Sequence, residues 1–90
     1  IGYNSLTANT IGISNNAIGS GSLVGNVSGN YNNAFGHSSL NTITSGSSNI
    51  ACGYLAGSSL VGANSNNIDI GNTGTAADSG VIRLGTSDSP

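Results

Sequence analysis

The 90 residues carry one Lys or Arg, three Asp or Glu and one His, for a formal net charge of −2, and half of them are Gly, Ser or Asn. This leaves no basic patch for nucleic acid and no apolar run near the ~20 residues of a membrane helix. The charged fraction is 4% and the hydrophobic fraction 36%, which is not the charge-rich signature of disorder, yet with no Trp, no Met and one Phe the chain lacks the large side chains of an ordinary compact core.

In chain order, rows that open on an apolar residue and Gly begin at Ile1, Ile18, Phe35, Cys52, Ile70 and Leu84, so the spacings are 17, 17, 17, 18 and 14. The first coil, 1–17, opens inside a repeat, and the chain is read as a piece of a longer protein. Coils 18–34 and 35–51 repeat its columns. Gly recurs at Gly2, Gly19, Gly36, Gly53, Gly71 and Gly85, and again at Gly12, Gly29 and Gly46. Asn recurs at Asn15, Asn32, Asn49 and Asn67, and Leu at Leu6, Leu23 and Leu40, each after a Ser. Coil 52–69 is longer by one position, with Gly57 where Leu is expected. Coil 70–83 is the short one and 84–86 is a remnant, so a repeat domain spans 1–86. Residues 87–90 are expected to be a linker or the start of the next segment.

A period of 17 is too short for helical repeats of about 33 to 47 residues, and Gly and Asn are poor helix formers. The expected fold is all-β, a parallel β-solenoid whose coils stack at ~4.8 Å. The Gly columns mark bends or positive φ. The Asn column forms a ladder of side-chain amides bonded to one another or to turn backbone. The best strand in each coil immediately precedes the Gly. Alternation puts Ile18, Phe35, Cys52, Ile70 and Leu84 on one face with Asn16, Asn33, Ile50, Ile68 and Ile82. That face is expected to point inward. Ala17, Ala34, Ala51, Asp69 and Arg83 then face outward, a place for close approach of subunits.

Such a core is thin. Burying an aliphatic side chain contributes ~1.5–3 kcal/mol, and ordering a backbone residue costs ~1–2 kcal/mol. With a single Cys no intrachain disulfide can add to this. Several chains around one axis would bury a second face, which argues for an oligomer without fixing its number.

The segments Asn15-Asn16-Ala17-Ile18-Gly19, Asn32-Asn33-Ala34-Phe35-Gly36 and Asn49-Ile50-Ala51-Cys52-Gly53 resemble the head repeats of trimeric autotransporter adhesins. They resemble still more the related repeats of phage tail fibres and bacterial surface proteins that precede an intramolecular chaperone. The stretch Asn67–Thr86 is similar to the closing coil that often comes before that chaperone. The resemblance covers about Ile1 to Thr86. It implies a left-handed parallel β-roll, a homotrimer, and attachment to a host or surface; the row spacings make its coils here 17 and then 14 residues long. This chain departs from it in its 17-residue period, where adhesin heads typically show 14, and in the polar Asn16 and Asn33.

Asp69 and Arg83 share a column in successive coils and are a candidate ion pair, either a surface pair worth ~0–1 kcal/mol or a clamp near the C-terminal end. Cys52 is read as a small buried hydrophobe; no neighbours have metal-ligand spacing. Tyr3, His37 and Tyr54 share a column broken by Ser20 and are candidate surface-binding rings, against a reading as filler at a turn. The sequon Asn26-Val27-Ser28 is expected to be unused. Glycoside hydrolysis usually needs two flanking carboxyl groups. There is no Glu, and of the three Asp only Asp69 is expected on a strand, with Asp78 and Asp88 in loops, so no catalysis and no cofactor are expected. The expected role is a structural or adhesive segment of an extracellular fibre, on a virion or a bacterial surface, meeting a cell-surface glycan or protein. Alternatives are an ice-binding solenoid, for which the Thr columns are incomplete, and a functional amyloid-like fibre.

Overall fold

The computed structural model describes residues 1–86; the expected linker at 87–90 lies outside them. Five three-residue strands, β1 (Asn16–Ile18), β2 (Asn33–Phe35), β3 (Ile50–Cys52), β4 (Ile68–Ile70) and β5 (Ile82–Leu84), form one parallel sheet in chain order. Each strand ends on the apolar residue before a repeat Gly. The register advances one coil per strand: Asn16 meets Asn33, Asn33 meets Ile50, Ile50 meets Ile68, and Ile68 meets Ile82. The first two steps are equal, the third is longer by one position and the last is the short one, as the Gly columns require. The chain is a parallel β-solenoid.

The strands are short because ladder bonding continues outside them. On a second side of the coil Leu6, Leu23 and Leu40 donate their backbone N–H to Ser22, Ser39 and Ala56 one coil on, at 3.1, 3.0 and 2.9 Å. On a third side Thr10, Val27 and Thr44 donate to Val27, Thr44 and Gly62 at 3.1, 2.9 and 3.0 Å. Backbone groups that a globular loop would leave to water are thereby paired between coils.

The corners require left-handed backbone at stacked positions. Gly19 has φ 122°, and a Cβ there would lie 2.6 Å from the carbonyl of Gly36 in the next coil. This column needs Gly for conformation and for space. Other columns hold positive φ with side chains, in the narrower left-handed helical well. Leu6, Leu23 and Leu40 have φ 53°, 50° and 49°, and Ser14, Tyr31, Ser48 and Asn66 have φ 58°, 61°, 60° and 63°. Left-handed backbone costs an L-residue roughly 1–2 kcal/mol; burial offsets it at Leu23 and Leu40, whereas the exposed Tyr31, Ser48 and Asn66 have only their backbone bonds to the preceding coil against it.

The core reverses the expected facing of the strands. Ala17, Ala34, Ala51 and Asp69 point into the coil and are buried, whereas Ile18, Phe35, Cys52 and Ile70 point out and are exposed. The interior belongs to Leu23, Leu40, Ile43 and Leu60, all fully buried. A Cβ on Gly57 would meet Leu40 Cδ2 at 2.6 Å and the Ala51 methyl at 3.3 Å. Leu40 thus reaches across a narrow coil toward the strand wall at Ala51, which leaves room there for a methyl group alone. Alternation identifies two faces but does not decide which is inside; the width of the coil does.

Gly57 is the first position of the Leu column without a side chain, and the column of Asn9 and Asn26 becomes Ile43 and then Leu60. The apolar filling therefore moves from one corner of the coil to another over coils three and four. A Cβ on Gly74 would lie 3.0 Å from Leu60 Cδ2, so the short coil closes against Leu60.

Candidate interaction surface

Four residue groups stand out: interior asparagine ladders, an exposed strand face, a pair of rings beside a cleft, and a charged cluster at the last two coils.

The ladder runs through Asn15, Asn32, Asn49 and Asn67. Each side-chain oxygen accepts the backbone N–H of the next member: Asn32 to Asn15 Oδ1 at 2.9 Å, Asn49 to Asn32 Oδ1 at 3.0 Å, Asn67 to Asn49 Oδ1 at 3.1 Å. Val81 ends the series on Asn67 Oδ1 at 3.0 Å. Each Nδ2 donates to a loop carbonyl: Gly29 at 2.7 Å, Gly46 at 2.8 Å, Asn64 at 2.9 Å and Asp78 at 3.2 Å. Asn is the residue that can accept and donate at once on so short a stem. The ladder carries register, and none of Asn32, Asn49 or Asn67 is accessible to a ligand.

A second ladder has no signal among the columns read from the sequence. Asn26 Nδ2 donates to Asn9 Oδ1 at 2.9 Å and to the Gly29 carbonyl at 3.1 Å. It stops where the column becomes Ile43, and Asn26 Oδ1 is left buried without a protein partner. The sequon acceptor Asn26 is fully buried.

The outward strand face is apolar over most of its length. Phe35 is 59% exposed and Ile82 66%; Ile18, Ile50, Cys52, Ile70 and Leu84 are exposed along the same face. Only the N-terminal end is polar, where Asn16 Nδ2 donates to Asn33 Oδ1 at 2.8 Å. Cys52, expected to be buried, stands in this strip because the whole face is turned outward. Isolated apolar residues on a surface are ordinary, whereas a contiguous strip is not.

Of the three rings, His37 and Tyr54 meet, with centroids 5.5 Å apart and planes at 34°. Tyr3 lies two coils from His37 and is 79% exposed. A shallow cleft of about 300 Å³ beside Tyr54 is lined by Leu55, Asn72, Thr73 and Thr86; it opens where the coil shortens.

At the C-terminal coils Asp69 and Arg83 are register partners across β4 and β5, but the ion pair is not between them. Arg83 Nε and Nη2 reach the two oxygens of Asp78 at 2.7 and 2.9 Å. Asp78 also accepts from Thr75 N at 3.0 Å and Thr75 Oγ1 at 2.7 Å. The guanidinium remains partly in water by turning to the coil rim, where Asp78 presents a fork of two oxygens. Pairing with Asp69 would draw it into the interior. The hydrogen bond from Arg83 holds the Asp78 carboxyl far below the usual range, with Thr75 reinforcing it, and Asp78 raises the Arg83 value in turn. Burial pushes Asp69 up to about 6, Asp78's charge adds to this, and Arg83 opposes it. Sequence alone makes Asp78 a plain loop residue; the local signal for more is Thr75 three residues before it, a spacing that favours side-chain bonds back to the turn.

Among the described residues no group of three His, Cys, Asp or Glu could hold a metal ion, and no helix is long and apolar enough to cross a membrane. Family models, curated proteins and solved structures offer no match to this chain.

Proposed function

We propose that this chain is a structural and adhesive segment of an extracellular trimeric fibre, a phage tail fibre or a bacterial surface adhesin, and that its coils wind as a left-handed roll. The exposed apolar strand face from Ile18 to Leu84 supports this reading. Two further copies of the chain would bury it around a common axis, with Phe35, Ile50, Ile70 and Ile82 as the inter-subunit core. The subunit seam is thus assigned to the Ile and Phe column, and the Ala column stays inside each coil. A solenoid suits such a role: it spaces a tip at a fixed rise and is held by backbone bonds that need no specific chemistry. A glycan or protein receptor would meet the fibre on sides left outside the axis, where the His37–Tyr54 pair and its cleft stand.

The test is the native mass by light scattering over a dilution series, for the chain and for Phe35→Asp. Three chains per particle are expected for the native protein. Phe35→Asp is expected to run as a smaller species with the same far-ultraviolet circular dichroism. A folded native monomer that persists at high concentration would overturn the trimer.

A further inference from the structure

Asp69 occupies a column whose earlier members are Ala17, Ala34 and Ala51, and it is fully buried. Neither carboxylate oxygen has a hydrogen-bond partner. It stands where the longest coil gives way to the shortest. A Cβ on Gly74 would lie 2.6 Å from its Oδ2, so the backbone of the segment between β4 and β5 closes directly against it. The charged groups around it come from two elements. β5 supplies Arg83, already committed to Asp78, and the β4–β5 segment supplies Asp78 itself. β3 offers the Ala51 methyl in register, and Leu60 Cδ2 lies on the same side of Gly74, 3.0 Å from where that Cβ would be. An anion here faces a second anion and a cation that is engaged elsewhere. A neutral carboxyl removes both the burial penalty and the repulsion.

We propose that protonation of Asp69 is a lock on the C-terminal coil: β5 and the segment from Gly71 to Val81 close firmly in mildly acidic surroundings and open locally at neutral pH. The direction follows from the raised carboxyl, about 6 in the fold against an ordinary 3.8. A raised value contributes stability that is fully present below the unfolded value and is lost as pH rises through the folded one. Asp78 acts in the opposite sense: its depressed carboxyl contributes above the ordinary value and is lost only in stronger acid. The lock therefore operates between about pH 4 and pH 6. With values of 3.8 and about 6, the opening equilibrium changes about tenfold between pH 5 and pH 7.5.

Amide hydrogen exchange, corrected for intrinsic rates, reads this site by site. Val81 N–H, bonded to Asn67 Oδ1, and Gly85 N–H, bonded to the Ile70 carbonyl, should open about tenfold more often at pH 7.5 than at pH 5. Gly36 N–H, bonded to the Ile18 carbonyl, serves as the reference and should not follow. Asp69→Asn should abolish the difference and His37→Gln should retain it. Equal opening at the two pH values, or an unchanged difference in Asp69→Asn, would overturn the lock. Should the Asn variant not fold, carbon-13 titration of the Asp69 carboxyl in the native chain decides: a midpoint near 6 supports the proposal and one near 3.8 defeats it.

Discussion

Asn49→Ala tests whether the interior asparagines hold the coils in register. Asn49 Oδ1 accepts Asn67 N–H at 3.1 Å, and its Nδ2 donates to Asn32 Oδ1 at 3.0 Å and to the Asn64 carbonyl at 2.9 Å. Truncation leaves Asn67 N–H buried with no partner and the Asn64 carbonyl partly so. Asn32 Oδ1 keeps the backbone N–H of residue 49. One buried orphan costs about 1–3 kcal/mol, and the second, part-buried group and the lost packing bring the total to about 3–5 kcal/mol. Asn16→Ala is the matched control. It removes one side-chain bond on an exposed strand and should cost no more than about 1 kcal/mol. Chemical denaturation at one fixed protomer concentration compares the two, since stability of an oligomer depends on concentration. Losses within about 1 kcal/mol of one another would refute the ladder as the source of register.

Leu40→Ala opens a cavity at a fully buried site and should cost about 2–5 kcal/mol; a shift in denaturation midpoint worth less than about 1 kcal/mol would show that the coil collapses around the gap. Ser48→Gly should stabilise by about 0.5–1 kcal/mol, because Ser48 holds φ 60° at an exposed corner and relief of that strain outweighs the added freedom of the unfolded chain; an unchanged or lower melting temperature would count against it. Cys52 is exposed on the strand face, so in the proposed trimer a maleimide should label it slowly when the chain is concentrated and rapidly once it is diluted to monomer. Concentration-independent labelling would place Cys52 outside the subunit contact.

The coil boundaries were legible because backbone geometry leaves a mark on residue type. Gly19 can be nothing but Gly against the Gly36 carbonyl, and Asn32 must both donate and accept, so both columns repeat visibly. The shortening of the last coil was legible for the same reason, through Gly71 and Gly85. The left-handed leucines at 6, 23 and 40 left no such mark, since Leu is a residue one expects to explain by burial alone. The strand facing is not legible in the sequence because Ile18 and Phe35 are larger than Ala17 and Ala34, and size usually marks the interior. In a coil this narrow the reverse holds: the large groups are turned out because they do not fit. The Arg83–Asp78 pair leaves no trace in the columns because its members lie within one coil, whereas a column relates residues of successive coils.

The inversion of the strand face changes where a partner is needed. With Ile18 and Phe35 inside, each coil would have had a core of its own and a smooth outer wall of Ala. With Ala17 and Ala34 inside, the large buried groups of the internal core are reduced to Leu23, Leu40, Ile43 and Leu60, all in the three middle coils, and the larger apolar groups outside add nothing until something covers them. Along that face Asn16 and Asn33 give way to Ile50, Ile68 and Ile82, so the area open to burial grows toward the C-terminal coils. Those are also the coils that contain a buried, unpartnered carboxylate in Asp69 and the short step from β4 to β5. Association through the strand face would therefore stabilise most strongly the end of the solenoid that is least well served by its own interior. A charged group at Ile82 should weaken the assembly more than one at Ile18. Native mass against dilution for Ile82→Asp and Ile18→Asp reads the difference, and an equal loss for the two would mean that the contact does not grow along the chain.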